Sequence, residues 1–75
     1  MNRPIHEIAI EICTVWSPIH YSAQPYLSAM TRLDKITDNY IHDTARGIVL
    51  RFLGNAKSWR GDDARRIKAE LRSLL

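Results

Sequence analysis

The chain has 75 residues and one cysteine, Cys13, so it is long enough for only one small domain and forms no disulfide within itself. The net charge of +3 is unevenly distributed, because residues 1–45 carry three bases and five acids whereas residues 46–75 carry eight bases and three acids. Glu7 and Glu11 interrupt the first apolar run, and no stretch approaches the roughly 18 apolar residues of a membrane span, so we expect a cytoplasmic protein with no signal peptide and no membrane partner.

Two helices are predicted in the first half of the chain. Apolar residues recur at helical spacing over residues 5–16, and this helix should end at Ser17-Pro18 because the residue before a proline is driven out of the helical region. Pro25 is suited to the first turn of a second, shorter helix. Ser22 or Gln24 is expected to cap that second helix.

Two further helices are predicted in the second half. The third should start between Thr37 and Asp43, and Asp62 and Asp63 supply the negative charge that the first turn of a fourth helix favours. No strand-like alternation occurs, so the sequence predicts one all-α domain over 1–75, a compact bundle of about four short helices. Its expected core consists of Ile8, Ile12, Leu27, Met30, Ile48, Val49, Phe52, Ile67 and Leu71.

No set of residues has the spacing of a catalytic or metal-binding site. The three histidines fall on different elements, and His6 lies two helical turns, about 10 Å, from Cys13, too far for a nucleophilic pair. The glycine-containing segment 47–58 lacks the spacing of a phosphate-binding loop and is expected to be mostly helical. We therefore expect a protein that is not an enzyme and needs no metal or cofactor.

A row of bases along the fourth helix is the strongest functional signal. Arg65, Lys68 and Arg72 recur at i, i+3 and i+7, and Arg60 precedes them. Such a row can neutralise phosphates, although a charged terminal helix is usually a solvated face.

Trp59 has two possible roles beside this row. It can cover the core together with Trp16, or it can form an exposed Trp59-Arg60 anchor of the kind that dominates interfaces. We take the expected partner-binding residues to be Trp59, Arg60, Arg65, Lys68 and Arg72.

Two glycines lie seven residues apart on the third helix, on the side opposite its apolar face. They are either tolerated there or allow a second helix to approach closely. A small domain without a disulfide often gains stability by self-association. We therefore expect a homo-oligomer that packs through Gly47, Leu50, Arg51 and Gly54.

Several segments carry a resemblance to known proteins: Tyr26–Met30, Leu33-Asp34, Asp38–Tyr40, Phe52–Ala56 and, most specifically, Trp59-Arg60-Gly61 with Ala64–Lys68 and Glu70-Leu71. Through them nearly the whole chain resembles a group of short proteins encoded by bacteriophages, prophages and some bacteria. The resemblance implies an accessory protein of a mobile element, made in a bacterial cell. It brings with it no catalytic residue.

Two functions of different classes follow. The leading one is a module that binds a host protein or ribonucleoprotein complex stoichiometrically, as an anti-CRISPR-like inhibitor of a bacterial defence system would. The alternative is a small nucleic-acid-binding protein that uses the basic fourth helix. Salt-dependent binding to arbitrary DNA or RNA separates the two.

Overall fold

A computed structural model describes residues 3–75, which form four helices and one short hairpin. The helices are α1 (Ile5–Val15), α2 (Gln24–Met30), α3 (Ala45–Gly54) and α4 (Asp62–Leu74). Between α2 and α3, strand β1 (Asn39–Tyr40) pairs antiparallel with β2 (Asp43–Thr44). The prediction of a mainly helical chain is confirmed, and the prediction that it lacks strands is wrong.

All four helices contribute to one apolar core. The residues predicted for the core are all buried, and Trp16, Leu33 and Trp59 join them from the connecting segments. Within residues 3–75 no polar or charged residue is buried. Burial of apolar surface is therefore the main force that holds the helices together.

The first turn of α1 is capped by the backbone that follows α2. The amide of Ile5 donates to the carbonyl of Asp34 at 2.9 Å, and the amide of His6 donates to the carbonyl of Leu33 at 2.8 Å. These bonds satisfy amides that a helix start leaves without intrahelical partners. At its other end, α1 finishes with a hydrogen bond from the amide of Trp16 to the carbonyl of Ile12, close to the end predicted at Ser17-Pro18.

The predicted cap of α2 is wrong. Its N-cap is Ala23, and no side chain bonds there. The side-chain amide of Gln24 instead donates to the carbonyl of Ile19, and the hydroxyl of Ser22 forms a hydrogen bond with Nδ1 of His20. Proline does occupy the first turn, as predicted.

The hairpin explains why α3 begins later than predicted. The Asp38 carboxylate accepts the amides of Asp34 and Lys35 at 3.0 and 2.9 Å, which fixes the turn before β1. The strands then extend the chain to Thr44, whose hydroxyl accepts the amide of Gly47 and caps α3. Local hydrogen bonds of this kind compete with a helix start at Asp38.

An ionic cluster joins α1 to α4. The Arg3 guanidinium contacts Glu11 at 2.8 Å and Glu70 at 2.6 Å, and Arg66 contacts Glu11 at 2.7 Å. The bond from Arg66, followed by that from Arg3, lowers the pKa of Glu11, and Arg3 lowers the pKa of Glu70. Both carboxylates are therefore stabilised in their charged form in the folded chain.

In the part of the chain that the structure describes, no helix is both long and apolar enough to pass through a bilayer.

Candidate partner-binding site

The loop between α3 and α4 is built around Trp59. Its side chain is only 4% exposed, and its ring stacks on Trp16 with 5.1 Å between centroids and 12° between planes. The indole thus covers the core, which was one of the two roles left open by the sequence. The exposed Trp59-Arg60 anchor is not what the structure shows, because only Arg60 of the pair is exposed.

Lys68 fixes this loop from α4. Its ammonium donates to the carbonyls of Ala56 and Trp59, both at 2.7 Å, and lies 5.9 Å from the centroid of the Trp59 ring. Burial lowers the pKa of Lys68, and the nearby charges of Arg72 and Arg60 lower it further. The sequence placed Lys68 in the basic, partner-binding row of α4, whereas in the structure it is a half-buried clamp with one of its three donors left over.

A pocket of about 360 Å³ opens beside this clamp. We call it the basic pocket; it is lined by Lys57, Trp59, Arg60, Gly61, Ala64, Arg65 and Lys68. Four of the five predicted partner-binding residues therefore meet at one place. The fifth, Arg72, lies one helical turn beyond Lys68 and is close enough to act on its pKa.

Sequence reasoning missed Lys57 and Ala64. Lys57 lies in the loop after α3, where helical periodicity gives no information about direction. Ala64 packs in the core, with 1% exposure, and it also lines the pocket. The one signal for Lys57 was its position in the basic half of the chain, two residues before Trp59.

The cations of the basic pocket differ in how far they are already paired. Arg65 contacts Asp62 at 2.9 Å, but both side chains are largely in solvent, and such pairs contribute little. Lys57, Arg60 and Arg72 form no ion pair with any residue in 3–75. These charges are available to an anionic partner.

Gly61 shapes the pocket at the start of α4. Its φ of 111° and ψ of −176° are a backbone conformation that is open almost only to glycine. The turn it permits brings Arg60 and Arg65 to the same opening.

The predicted self-association residues lie on α3 with unequal exposure. Leu50 is 48% exposed, and a side chain added at Gly54 would meet no atom within 4 Å. A side chain at Gly47 would come within 3.2 Å of the capping hydroxyl of Thr44. Arg51 already pairs with Asp43 of the hairpin at 2.9 Å. The open part of this face is therefore Leu50 and Gly54.

One polar contact that the sequence did not indicate is a serine–histidine pair. The Ser22 hydroxyl lies 2.8 Å from Nδ1 of His20, which also accepts the Ser22 amide at 3.2 Å. Tyr21 stacks on the imidazole at 4.7 Å between centroids. In a catalytic pair, a third polar group bonds the other side of the imidazole and orients it. Here the imidazole is held by the turn at Ser22 and by the ring of Tyr21 instead.

The basic pocket has the chemistry of anion recognition. It combines unpaired guanidinium and ammonium groups with a wall formed by Trp59 and Ala64.

Nowhere between residues 3 and 75 do three or more His, Cys, Asp or Glu side chains come together as a metal site. Comparisons of the chain with protein-family models, with curated proteins and with solved structures found no match.

Proposed function

We propose that this chain is a small phage-type accessory protein that acts by stoichiometric binding. The basic pocket and Arg72 dock on an acidic surface of a host protein or ribonucleoprotein complex in the bacterial cytoplasm. Binding there inhibits a bacterial defence system, as an anti-CRISPR protein does. The observation that carries the proposal is the group of unpaired cations, Lys57, Arg60 and Arg72, beside a preformed pocket.

The distribution of ion pairs supports this choice of face. Glu11 and Glu70 are held by Arg3 and Arg66 between α1 and α4, and Asp43 is held by Arg51. These three acids are thus paired within the chain, while Lys57 and Arg60 at the basic pocket, and Arg72 beside it, form no ion pair with any residue in 3–75. Complementary charge of this kind guides encounter with a partner and fixes its orientation.

Several features favour a protein partner over nucleic acid. A single-strand site stacks bases on exposed aromatic rings, and Trp59 is buried against Trp16. Helix α4 also carries no Asn or Gln, the side chains that read adenine in the major groove.

Nucleic-acid binding is the second candidate, and the row of exposed cations favours it. The two candidates differ in their response to salt. A protein that neutralises several phosphates loses affinity steeply as salt rises, whatever the sequence of the nucleic acid. A protein interface built on one anchor and a charged rim depends on salt more weakly.

The test compares charge reversals on two different exposed surfaces. The variant Arg60→Glu, Arg65→Glu, Arg72→Glu alters the proposed face, and Arg32→Glu with Lys35→Glu alters exposed bases after α2. Tagged forms are expressed in bacteria, and the copurifying complex is then rebuilt from purified components. We expect a complex of fixed stoichiometry with the parent and with the control pair, and none with the triple variant. A complex that survives the triple reversal would contradict the proposal.

The same three forms are titrated with duplex DNA and with single-stranded RNA at two salt concentrations. We expect weak binding to either. Tight binding that falls steeply with salt and is lost in the triple variant would establish the nucleic-acid alternative.

A further inference from the structure

We infer that the basic pocket receives an apolar side chain from an acidic segment of the partner protein, with Arg60 and Arg65 pairing the carboxylates that flank it. This inference rests on the proposed function and names the chemistry of the partner at the same site. It is carried by the contrast between the wall of the pocket and its rim.

The wall of the pocket is apolar. Trp59 and Ala64 line the pocket while being only 4% and 1% exposed, so they form its floor as part of the core. The methylene chain of half-buried Lys68 continues this surface, because a lysine buries its stem and keeps its ammonium polar. An inorganic anion or a bare phosphate would leave this apolar wall uncovered.

The rim of the pocket is cationic. Lys57, Arg60 and Arg65 are exposed and line the opening, and Lys68 retains one donor after its two bonds to backbone carbonyls. A guanidinium can stack on an aromatic ring and bond a carboxylate at its edge. The pocket is thus complementary to a ligand with an apolar centre and negative charge on either side.

The pocket is also formed in advance of binding. Lys68 ties the carbonyls of Ala56 and Trp59, and Trp16 supports the indole from behind. The amide of Trp59 donates to the carbonyl of Ala56 at 3.1 Å, which closes the loop on itself. A pocket that need not be ordered on binding retains more of the interaction free energy for affinity. Its size, about 360 Å³, falls at the lower end of ordinary ligand pockets, roughly 300–1,000 Å³.

The test uses three fluorescent peptides of equal length. The first has a central phenylalanine flanked on each side by glutamates and aspartates, the second has alanine at the centre, and the third has the phenylalanine flanked by lysines. The fluorescence anisotropy of each peptide is measured at physiological salt with three proteins. These are the parent, the double variant Arg60→Gln/Arg65→Gln and the control variant Arg32→Gln. A DNA oligonucleotide of the same charge as the acidic peptide serves as competitor.

We expect the acidic phenylalanine peptide to bind about tenfold more tightly than the alanine peptide, as a pocket-filling anchor would. The lysine-flanked peptide should not bind, and the double glutamine variant should weaken the acidic peptide while Arg32→Gln leaves it unchanged. Amide shifts in a nitrogen–proton correlation spectrum should be concentrated in residues 57–68.

Three results would overturn the inference. Equal affinity for the phenylalanine and alanine peptides would mean that charge alone binds. A DNA competitor that displaces the peptide at lower concentration than the peptide itself would mean that the pocket serves phosphates. It is also possible to find that no peptide binds while the triple reversal still abolishes the host complex. That result would show that no apolar side chain anchors the partner, and it would leave the proposed function standing. Loss of the proposed function is recognised separately, by a host complex that survives the triple reversal.

Discussion

The indole rings of Trp16 and Trp59 lie face to face, 5.1 Å apart at their centroids, and join the end of α1 to the loop that leads into α4. Phe52 of α3 meets Trp16 edge-on at 6.2 Å and 76°. The three rings therefore connect three parts of the fold at one point. Because Trp59 also lines the basic pocket, the shape of the pocket depends on the packing of the core.

Replacement of Trp59 tests whether this pocket residue is also part of the core. Trp59→Ala removes a nearly buried indole and should lower the free energy of unfolding by about 3–5 kcal/mol. Trp16→Ala should lower it by a similar amount, although Trp16 does not line the pocket. Urea unfolding followed by circular dichroism measures both. A Trp59→Ala protein as stable as the parent would show that the ring is not part of the core.

Phe52 lies at the centre of the core, with no exposed surface. Phe52→Ala should cost about 3–5 kcal/mol, because it removes a fully buried ring and leaves a cavity. Domains of this kind have roughly 5–15 kcal/mol in all, so the variant should lose a large share of its stability. Exposed Ile10 provides a control, and Ile10→Ala should change stability little. Equal stability of the Phe52 and Ile10 variants would contradict the core described above.

The ionic cluster between α1 and α4 predicts a dependence of stability on acid. The pKa values of Glu11 and Glu70 lie below their ordinary 4.5 in the folded chain. A carboxyl group with a lowered folded pKa stabilises the fold above its unfolded pKa, and this contribution is lost as the pH falls through the folded value. Stability should therefore decrease as the pH falls below about 4.5.

Urea unfolding at pH 7, 5 and 3 measures this loss. In the Glu11→Gln, Glu70→Gln protein the decrease between pH 5 and pH 3 should be smaller than in the parent, because the two groups no longer titrate. Glu7→Gln, on an exposed position of α1, should leave the decrease unchanged. An acid response that is the same in the double variant and in the parent would exclude the cluster as its source.

Self-association through α3 remains a prediction, and the structure indicates which variants test it cleanly. Leu50→Glu and Gly54→Gln alter the open part of the face, whereas a side chain at Gly47 would meet the Thr44 cap at 3.2 Å and disturb the helix start. We expect sedimentation to show a dimer or larger oligomer at high micromolar concentration, and a monomer in the Leu50→Glu, Gly54→Gln protein. A monomeric parent at that concentration would rule the interface out.

The parts of the fold that follow a long periodic pattern could be predicted from the sequence. Residues such as Ile8, Ile12, Ile48 and Phe52 recur at helical spacing, and that spacing correctly indicates which face is buried. The hairpin could not be predicted in this way, because strands of two residues have no period. Its position depends on local bonds instead, such as those of the Asp38 carboxylate.

The basic pocket shows a similar division. The spacing of Arg65, Lys68 and Arg72 correctly grouped them on one flank of α4. Spacing does not indicate depth, however, and Lys68 turns out to bind carbonyls of a loop that only folding brings near it. Trp59 could not be assigned to core or surface without knowing that Trp16 lies behind it.

The identity of the binding face is tested most directly by the dissociation constant of the host complex for the parent, Arg60→Ala, Arg72→Ala and Glu7→Ala. We predict that Arg60→Ala, at the basic pocket, weakens binding by more than about 1–2 kcal/mol, that Arg72→Ala costs less, and that Glu7→Ala costs nothing. Equal small losses at both arginines, each with a salt dependence flatter by about one unit of slope, would indicate nucleic acid as the partner. Unchanged binding in both arginine variants, with binding abolished by Glu7→Ala, would contradict the proposal and place the partner on α1.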